Sequence, residues 1–481
     1  MSLDTDTTDA LTTVVQKAKH VFGDLVIDKR RLISSQLQKR GVPAYVGEWV
    51  LDSVVPSEGP LTRKQSEELH EWAKRIIPTP RDEKLIKNRL ARGEQLKVLT
   101  PVEVEIRLAK DQPRRYAVLK LLNIQDASIS EGLLSEYPAL LQEGMWGVVE
   151  LMYVSGSGII IAGFQPMQSS VDVAMFREAR SEFTLQEWRQ LLLLSMGYNP
   201  LAFDEEQQTL LLCRLIPLVQ KSAHLMELAP KGTGKSYIYE NISPHVKLVS
   251  GGNVSPAVMF VNNATGQWGI LARYKVVVLD EVQTLRFDRP AEIVGGLKGF
   301  LANSRLSRGG LYETNSDCSF VLLANISLNE EQEPLKELVV EELPAFLRET
   351  AFLDRIRGLI PGWKLPKLRA DCFANTIGLK ADFFGDAMLA LRDLLEIDSY
   401  CASRISLRGT KRYQRNEQAV QSLASAMTKI QFPNHMDMSD EEFRRYCVEP
   451  ACELRQYIWD QIYQMDAEYR QYEKRIGYRI E

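Results

Sequence analysis

Apolar residues along this chain change period several times, and each change predicts a new element. From residue 8 to about 90, ALTTVVQKAKHVFGDLV, KRRLISSQLQKRGVPAYVGEWVLD and LTRKQSEELHEWAKRII repeat apolar positions at helical spacing. A Pro-Ser-Glu-Gly-Pro break at 56–60 interrupts them, and Thr62 and Ser66 are candidate caps for the helix that follows. Near 95 the period shortens. VEVEIRLA, RRYAVLKLLNI, WGVVELMYV and GIIIAGFQPM are short runs rich in Val, Ile and aromatics, which predict a small β domain that a barrel of the OB kind would fit. Helical patterning returns in FTLQEWRQLLLLSMGY and EEQQTLLLCRLIPLVQ. Next, HLMELA, VKLVS, YKVVVLDEV and SFVLLAN alternate with helical stretches, the pattern of a parallel α/β sheet. Past 366 the chain reads as helical again, ending in a charged segment rich in Tyr and Arg.

A multidomain α/β protein follows. Its expected parts are an N-terminal helical module (1–92), a β-rich, OB-like domain (93–175), bracing helices (176–223), an α/β P-loop core with helices on both faces of a parallel sheet (224–365), a helical lid (366–432) and a charged helical tail (433–481). The length of 481 residues agrees, because one core rarely serves more than roughly 200.

Composition acts mainly by exclusion. A net charge of -4 gives no global nucleic-acid signal, so any such surface must be local. No apolar run approaches the roughly 20 residues of a membrane span, and the acidic N-terminus is unlike a secretory signal, so a cytoplasmic location is expected. Six scattered cysteines without a CxxC pair argue for free thiols rather than zinc or disulfides.

Chemistry concentrates in APKGTGKS at 229–236, between the apolar run HLMEL and the helical YIYENIS. In a P-loop, glycines turn backbone N–H groups toward phosphates, a lysine reaches the β and γ oxygens and a hydroxyl holds Mg²⁺. Pro230, Lys231, Gly232, Thr233, Gly234, Lys235 and Ser236 would bind the nucleotide, with Ala229 standing where the pattern has glycine. Ala serves there if the backbone needs no positive φ. YKVVVLDEV then places Asp280 and Glu281 at the end of a buried strand, expected next to the P-loop, Asp280 joining Ser236 at the metal and Glu281 polarising the attacking water. SFVLLAN ends in Asn325, which could sit between the P-loop and Glu281 and orient that water. FLDRIRGLIPGW offers Arg355, with Arg357 as the alternative, as an arginine finger from a neighbouring subunit. RISLRGTKR offers Arg408 or Arg412 as a second sensor from the lid. Between Glu281 and Asn325, Lys298, Arg305 and Arg308, with a Gly-Gly break, could form a pore hairpin that contacts DNA phosphates, or solvated charges on a connector. Phe260 and Trp268 are a second pore candidate, or core.

APKGTGKS, VSGGNVSPAVMFVNN, GQWGILARYKVVVLDEV, the 296–325 segment and FLDRIRGLIPGW resemble the Lon-related BrxL proteins of bacterial BREX phage-defence systems, over roughly 180–430 and more loosely before that. The resemblance implies an AAA+ core, hexameric or double-hexameric rings, DNA binding, other BREX components as partners, and an arrangement similar to minichromosome-maintenance helicases. Longer members continue into a Lon-like protease domain. No PxxGxSAG-like nucleophile segment with a lysine partner is found and little chain follows the lid, so a short or truncated form without peptidase activity is expected. The expected function is ATP/Mg²⁺ hydrolysis coupled to binding or movement along DNA, double-stranded and read without sequence preference. A protein unfoldase and a DNA-binding ring with incidental ATP turnover are the rivals.

Overall fold

The structure, a computed structural model, describes residues 4–108, 113–142, 144–167, 171–308, 312–409 and 411–481. The Gly-Gly break at 309–310 lies outside them.

Helix α1 (Asp4–Phe22) buries Leu11, Val14, Ala18 and Phe22, one stripe at helical spacing. That stripe does not join the rest of the N-terminal module. Phe22 packs on Phe176, Phe183 and Phe383, so α1 belongs to the core of the ATPase-side helices, and the single unit drawn over 1–92 is split. Residues from 27 to 77 gather with Leu99, Met167 and Ala381 in a separate cluster, in which α2 (Ala44–Val54) and α3 (Arg63–Ile76) pack together. Thr62 caps α3 in a reciprocal box with Gln65, while Ser66 lies inside the helix and donates to the Thr62 carbonyl. A short strand, β1 (Val26–Asp28), reaches across to pair with residues 377–379.

Strands β2 (Leu96–Leu108), β3 (Pro113–Leu119), β4 (Ile124–Ser128), β5 (Met145–Val154) and β6 (Gly158–Pro166) close into a barrel in the order β2-β3-β4-β6-β5. The period-two runs fall on these strands, and closure leaves no free edge.

Five parallel strands form the central sheet: β7 (Leu225–Ala229), β8 (Val246–Ser250), β9 (Val276–Asp280), β10 (Ser319–Asn325) and β11 (Gly358–Pro361), ordered β11-β7-β10-β9-β8. Near-continuous apolar runs are what a parallel sheet covered on both faces requires. Val276 and Val278 point into one core with Trp188, Leu215 and Phe383, and Val277 and Leu279 into the other with Ile293, Phe300 and Trp459. Trp459 brings part of the charged helical tail into this core. Helix α4 (Glu449–Met465) buries Leu454, Ile458 and Ile462 behind β11, and Tyr478–Ile480 pairs with Ile405–Leu407. Among the described residues no helix is long and apolar enough to cross a membrane.

Candidate nucleotide-binding and hydrolysis site

Strand β7 ends at Ala229, and the chain turns through Pro230–Ser236 into a short helix, Tyr237–Asn241. Gly232 and Gly234 have φ of +88° and +73°, a region that penalises any side chain, whereas Ala229 is a buried strand residue outside the positive-φ set. Ala therefore fits at the position where the P-loop pattern has glycine.

The ends of two further strands, β9 and β10, meet this loop. The Ser236 hydroxyl donates to Asp280 Oδ2 at 2.7 Å, and Lys235 Nζ donates to Asn325 Oδ1 at 2.8 Å. Burial lowers the Lys235 ammonium below the ordinary lysine range, with Asp280, Glu227 and Glu281 pulling the other way. Glu281 is half-buried and holds φ of +46°, a costly conformation for a non-glycine residue and one typical of strained functional turns. Its N–H donates to Asp280 Oδ1 at 2.8 Å, and its carbonyl accepts from Thr284. β9, bearing Asp280, does not adjoin β7, because β10 lies between them and carries Asn325 level with Ala229.

Several residues of this site escaped the motif reading. Arg214 and Glu227 are 0% and 1% exposed and form a two-pronged pair, at 2.6 and 3.1 Å. Arg214 also donates to the Thr233 carbonyl at 3.2 Å and to the Tyr198 hydroxyl at 3.1 Å, and that hydroxyl donates to the Gly234 carbonyl at 3.4 Å. The loop thus rests on a buried charged bracket. Burial opposes the Arg214 charge, but Glu227 outweighs it and holds the guanidinium above its ordinary value. From the other side, the Leu368 N–H donates to the Gly232 carbonyl at 2.8 Å. Gln283 grips both backbone groups of Asn325, accepting its N–H at 3.1 Å and donating to its carbonyl at 2.5 Å.

A hydroxyl and a carboxylate meeting beside a phosphate-type loop are hard oxygen donors, which fits Mg²⁺, an ion held by one or two carboxylates plus substrate phosphates. Ser236 and Asp280 would hold it, and the ion would neutralise charge on those phosphates.

The family described as "Lon-like protease BrxL-like, ATPase domain" matches residues 159–475, about two thirds of the chain. The chain belongs to the BrxL family. The BrxL N-terminal family of the BREX system matches residues 20–153. Curated relatives named Lon-like protease BrxL are 29% identical over 455 residues in Escherichia coli O9:H4 (strain HS) and 27% identical over 443 residues in Bacillus cereus (strain H3081.97). These matches cover 92% and 89% of this chain but 64% of each relative's length. Among solved structures, a full-length MCM homolog from Methanopyrus kandleri aligns over 92% of this chain and 99% of that one, with a TM-score of 0.39 and 12% identity.

The candidate arginines of this BrxL-family chain, Arg355, Arg357, Arg408 and Arg412, bond elsewhere than to the loop among the described residues. Half-buried Arg355 follows the turn of helix Thr350–Leu353 and donates to the Ala351 carbonyl. Its neighbour Asp354 is fully buried and accepts from Tyr413, Arg415 and Arg455. Arg357 is lowered to about 10 by burial and by nearby Arg455. Exposed Arg408 borders Gly477, to whose carbonyl its N–H donates, and Arg412 turns to the Leu407 carbonyl. Neither bonds to the loop among the described residues.

Of the basic trio, Arg305 pairs with Glu313 and Lys298 with Glu349. Arg308 does not face outward. Its side chain is 12% exposed, donating to Glu292 and the Val261 carbonyl, so it pins the hairpin of Arg305–Arg308 and Tyr312–Asn315 to the core. Phe260, 2% exposed against Gly296, is a core residue, and half-buried Trp268 packs at the edge of the same core.

Proposed function

We propose that this BrxL-family chain is an oligomeric AAA+ ATPase of BREX phage defence that couples ATP hydrolysis to engagement of double-stranded DNA without sequence preference. The observation that carries the reading is the convergence of Lys235 on Asn325 and of Ser236 on Asp280 beneath one loop. Phosphoryl transfer needs positioned charge more than covalent chemistry. The N–H groups of Pro230–Ser236 and the Lys235 ammonium bind the phosphates. Glu281 accepts a hydrogen bond from the attacking water, Asn325 orients it, and Arg355 of a neighbouring copy meets the charge that develops on the γ-phosphate. Arg408 is the proposed second sensor of the lid.

Glu281→Gln tests the motor. It should bind ATP as the wild type does and lower hydrolysis by roughly 10²–10⁴-fold; undiminished turnover would sink the reading. For the cargo, duplex DNA should stimulate turnover, and its affinity should fall steeply with salt. Stimulation by unfolded protein, with none by DNA, would transfer the motor to a protein substrate.

A further inference from the structure

Beside the P-loop lies a cavity of about 400 Å³ that the hydrolysis chemistry does not use. One wall belongs to the ATPase core: Gly197, Tyr237, Ile238 and Phe373. The facing wall belongs to the N-terminal module, with Leu32, Ile33 and Ala44. The cavity begins where the loop ends. Tyr237 directly follows Ser236; Gly197 directly precedes Tyr198, whose hydroxyl bonds the Gly234 carbonyl; and the Ala374 N–H donates to the Gly197 carbonyl at 2.8 Å. A nucleotide held by its phosphates in the loop must place its base beyond one end of it, and this is the adjoining hollow. Its walls suit a flat heteroaromatic ring, being mostly apolar, with two aromatic side chains and the polar ends of Gln36 and Lys39 for orientation. Ile33, 59% exposed, stands among the lining residues as an apolar side chain open to solvent.

The module wall is wired to the loop's own helix. Asn241 Oδ1 accepts from the Ala44 N–H at 2.9 Å and from Gln38 Nε2 at 3.1 Å, while Asn241 Nδ2 donates to the Tyr237 carbonyl at 2.8 Å. The buried Lys29–Glu48 pair, at 2.8 Å, holds the far side, and Glu48 also accepts the Ala381 N–H at 2.7 Å. We propose that this cavity receives the purine base of the nucleotide whose phosphates the P-loop binds, so that the base, and not the phosphates, clamps the N-terminal module onto the ATPase core. The inference rests on the nucleotide-site reading and assigns to residues 29–44 the role of sensing that site's occupancy.

Titration calorimetry with Mg–ATP and with Mg–tripolyphosphate separates the two claims, because tripolyphosphate fills the loop and leaves the cavity empty. Lys235→Ala should abolish binding of both ligands; if both still bind, the nucleotide site itself is misplaced. Phe373→Ala should weaken ATP about tenfold, the low end of what one base–aromatic stack contributes, and leave tripolyphosphate unchanged. Should Phe373→Ala fail to fold, Ile33→Asp at the exposed position is expected to weaken ATP selectively in the same way. Hydrogen exchange should slow at residues 29–44 with ATP and not with tripolyphosphate. Loss of binding in Lys235→Ala, together with wild-type ATP affinity in both cavity variants and unchanged exchange at 29–44, would overturn the inference while leaving the nucleotide site standing.

Discussion

Arg214 and Glu227 put two full charges out of water beneath a loop built to receive anions. Each makes the other tolerable, so removing one strands a buried charge. Arg214→Leu should therefore cost about 3–5 kcal/mol of stability, read as a shift in the urea midpoint. Replacing both with apolar residues of similar volume should restore most of that loss, since the pair's desolvation roughly cancels its attraction. The doubly substituted protein should still bind ATP more weakly, because Thr233 and Tyr198 lose their anchor. The chain carried a clue to this bracket. LLLCRLIPLV and HLMELA are apolar runs with one charge each, and a charge in such a run needs a partner. Nothing in either run says which partner, because that depends on how a helix crosses a strand. Lys235, Ser236, Asp280 and Asn325 were easier to single out because each chemistry is tied to a particular end of a local element.

At the scale of elements, strand runs and helix stripes were legible wherever one period persisted, and order was not. That β10 separates β7 from β9 is a non-local pairing with no trace in periodicity. The destination of the α1 stripe is hidden for the same reason, since a stripe reports that a partner exists and not where it is. The sheet order gives Gln283 its task. It lies just beyond β9 and fastens the end of β10, so the spacing between Glu281 and Asn325 depends on two side-chain hydrogen bonds. Gln283→Ala should lower kcat and leave ATP affinity near wild type, a split that equilibrium binding and steady-state kinetics together resolve. Loss of affinity in equal measure would mean that Gln283 supports the fold of the loop instead. Thr62→Ala, which removes a cap on the exposed side of α3, should cost only about 1 kcal/mol and leave hydrolysis intact.

For the whole molecule, the proposed reaction spans two copies of the chain. Arg355→Ala should reduce turnover on the order of 10³-fold with ATP binding retained. Mixing it with Lys235→Ala should recover activity at the junctions where an intact loop faces an intact arginine. A purely structural arginine predicts no recovery on mixing. Surface chemistry was the least legible part of the chain at this scale. Arg308 looked like a phosphate contact in sequence, yet it is consumed within the chain by Glu292 and a backbone carbonyl, and only folding reveals that.

Asp354 carries one last consequence. It accepts hydrogen bonds from Tyr413, Arg415 and Arg455, residues on and beside the helices behind the sheet, while the next residue is Arg355. The arginine is thus mounted on the end of a stiff arm whose pivot lies in its own subunit's C-terminal helices. In a ring, a tilt of those helices would carry the tip with them across the adjoining nucleotide site. Each copy would then time its neighbour, as an escapement does, rather than itself.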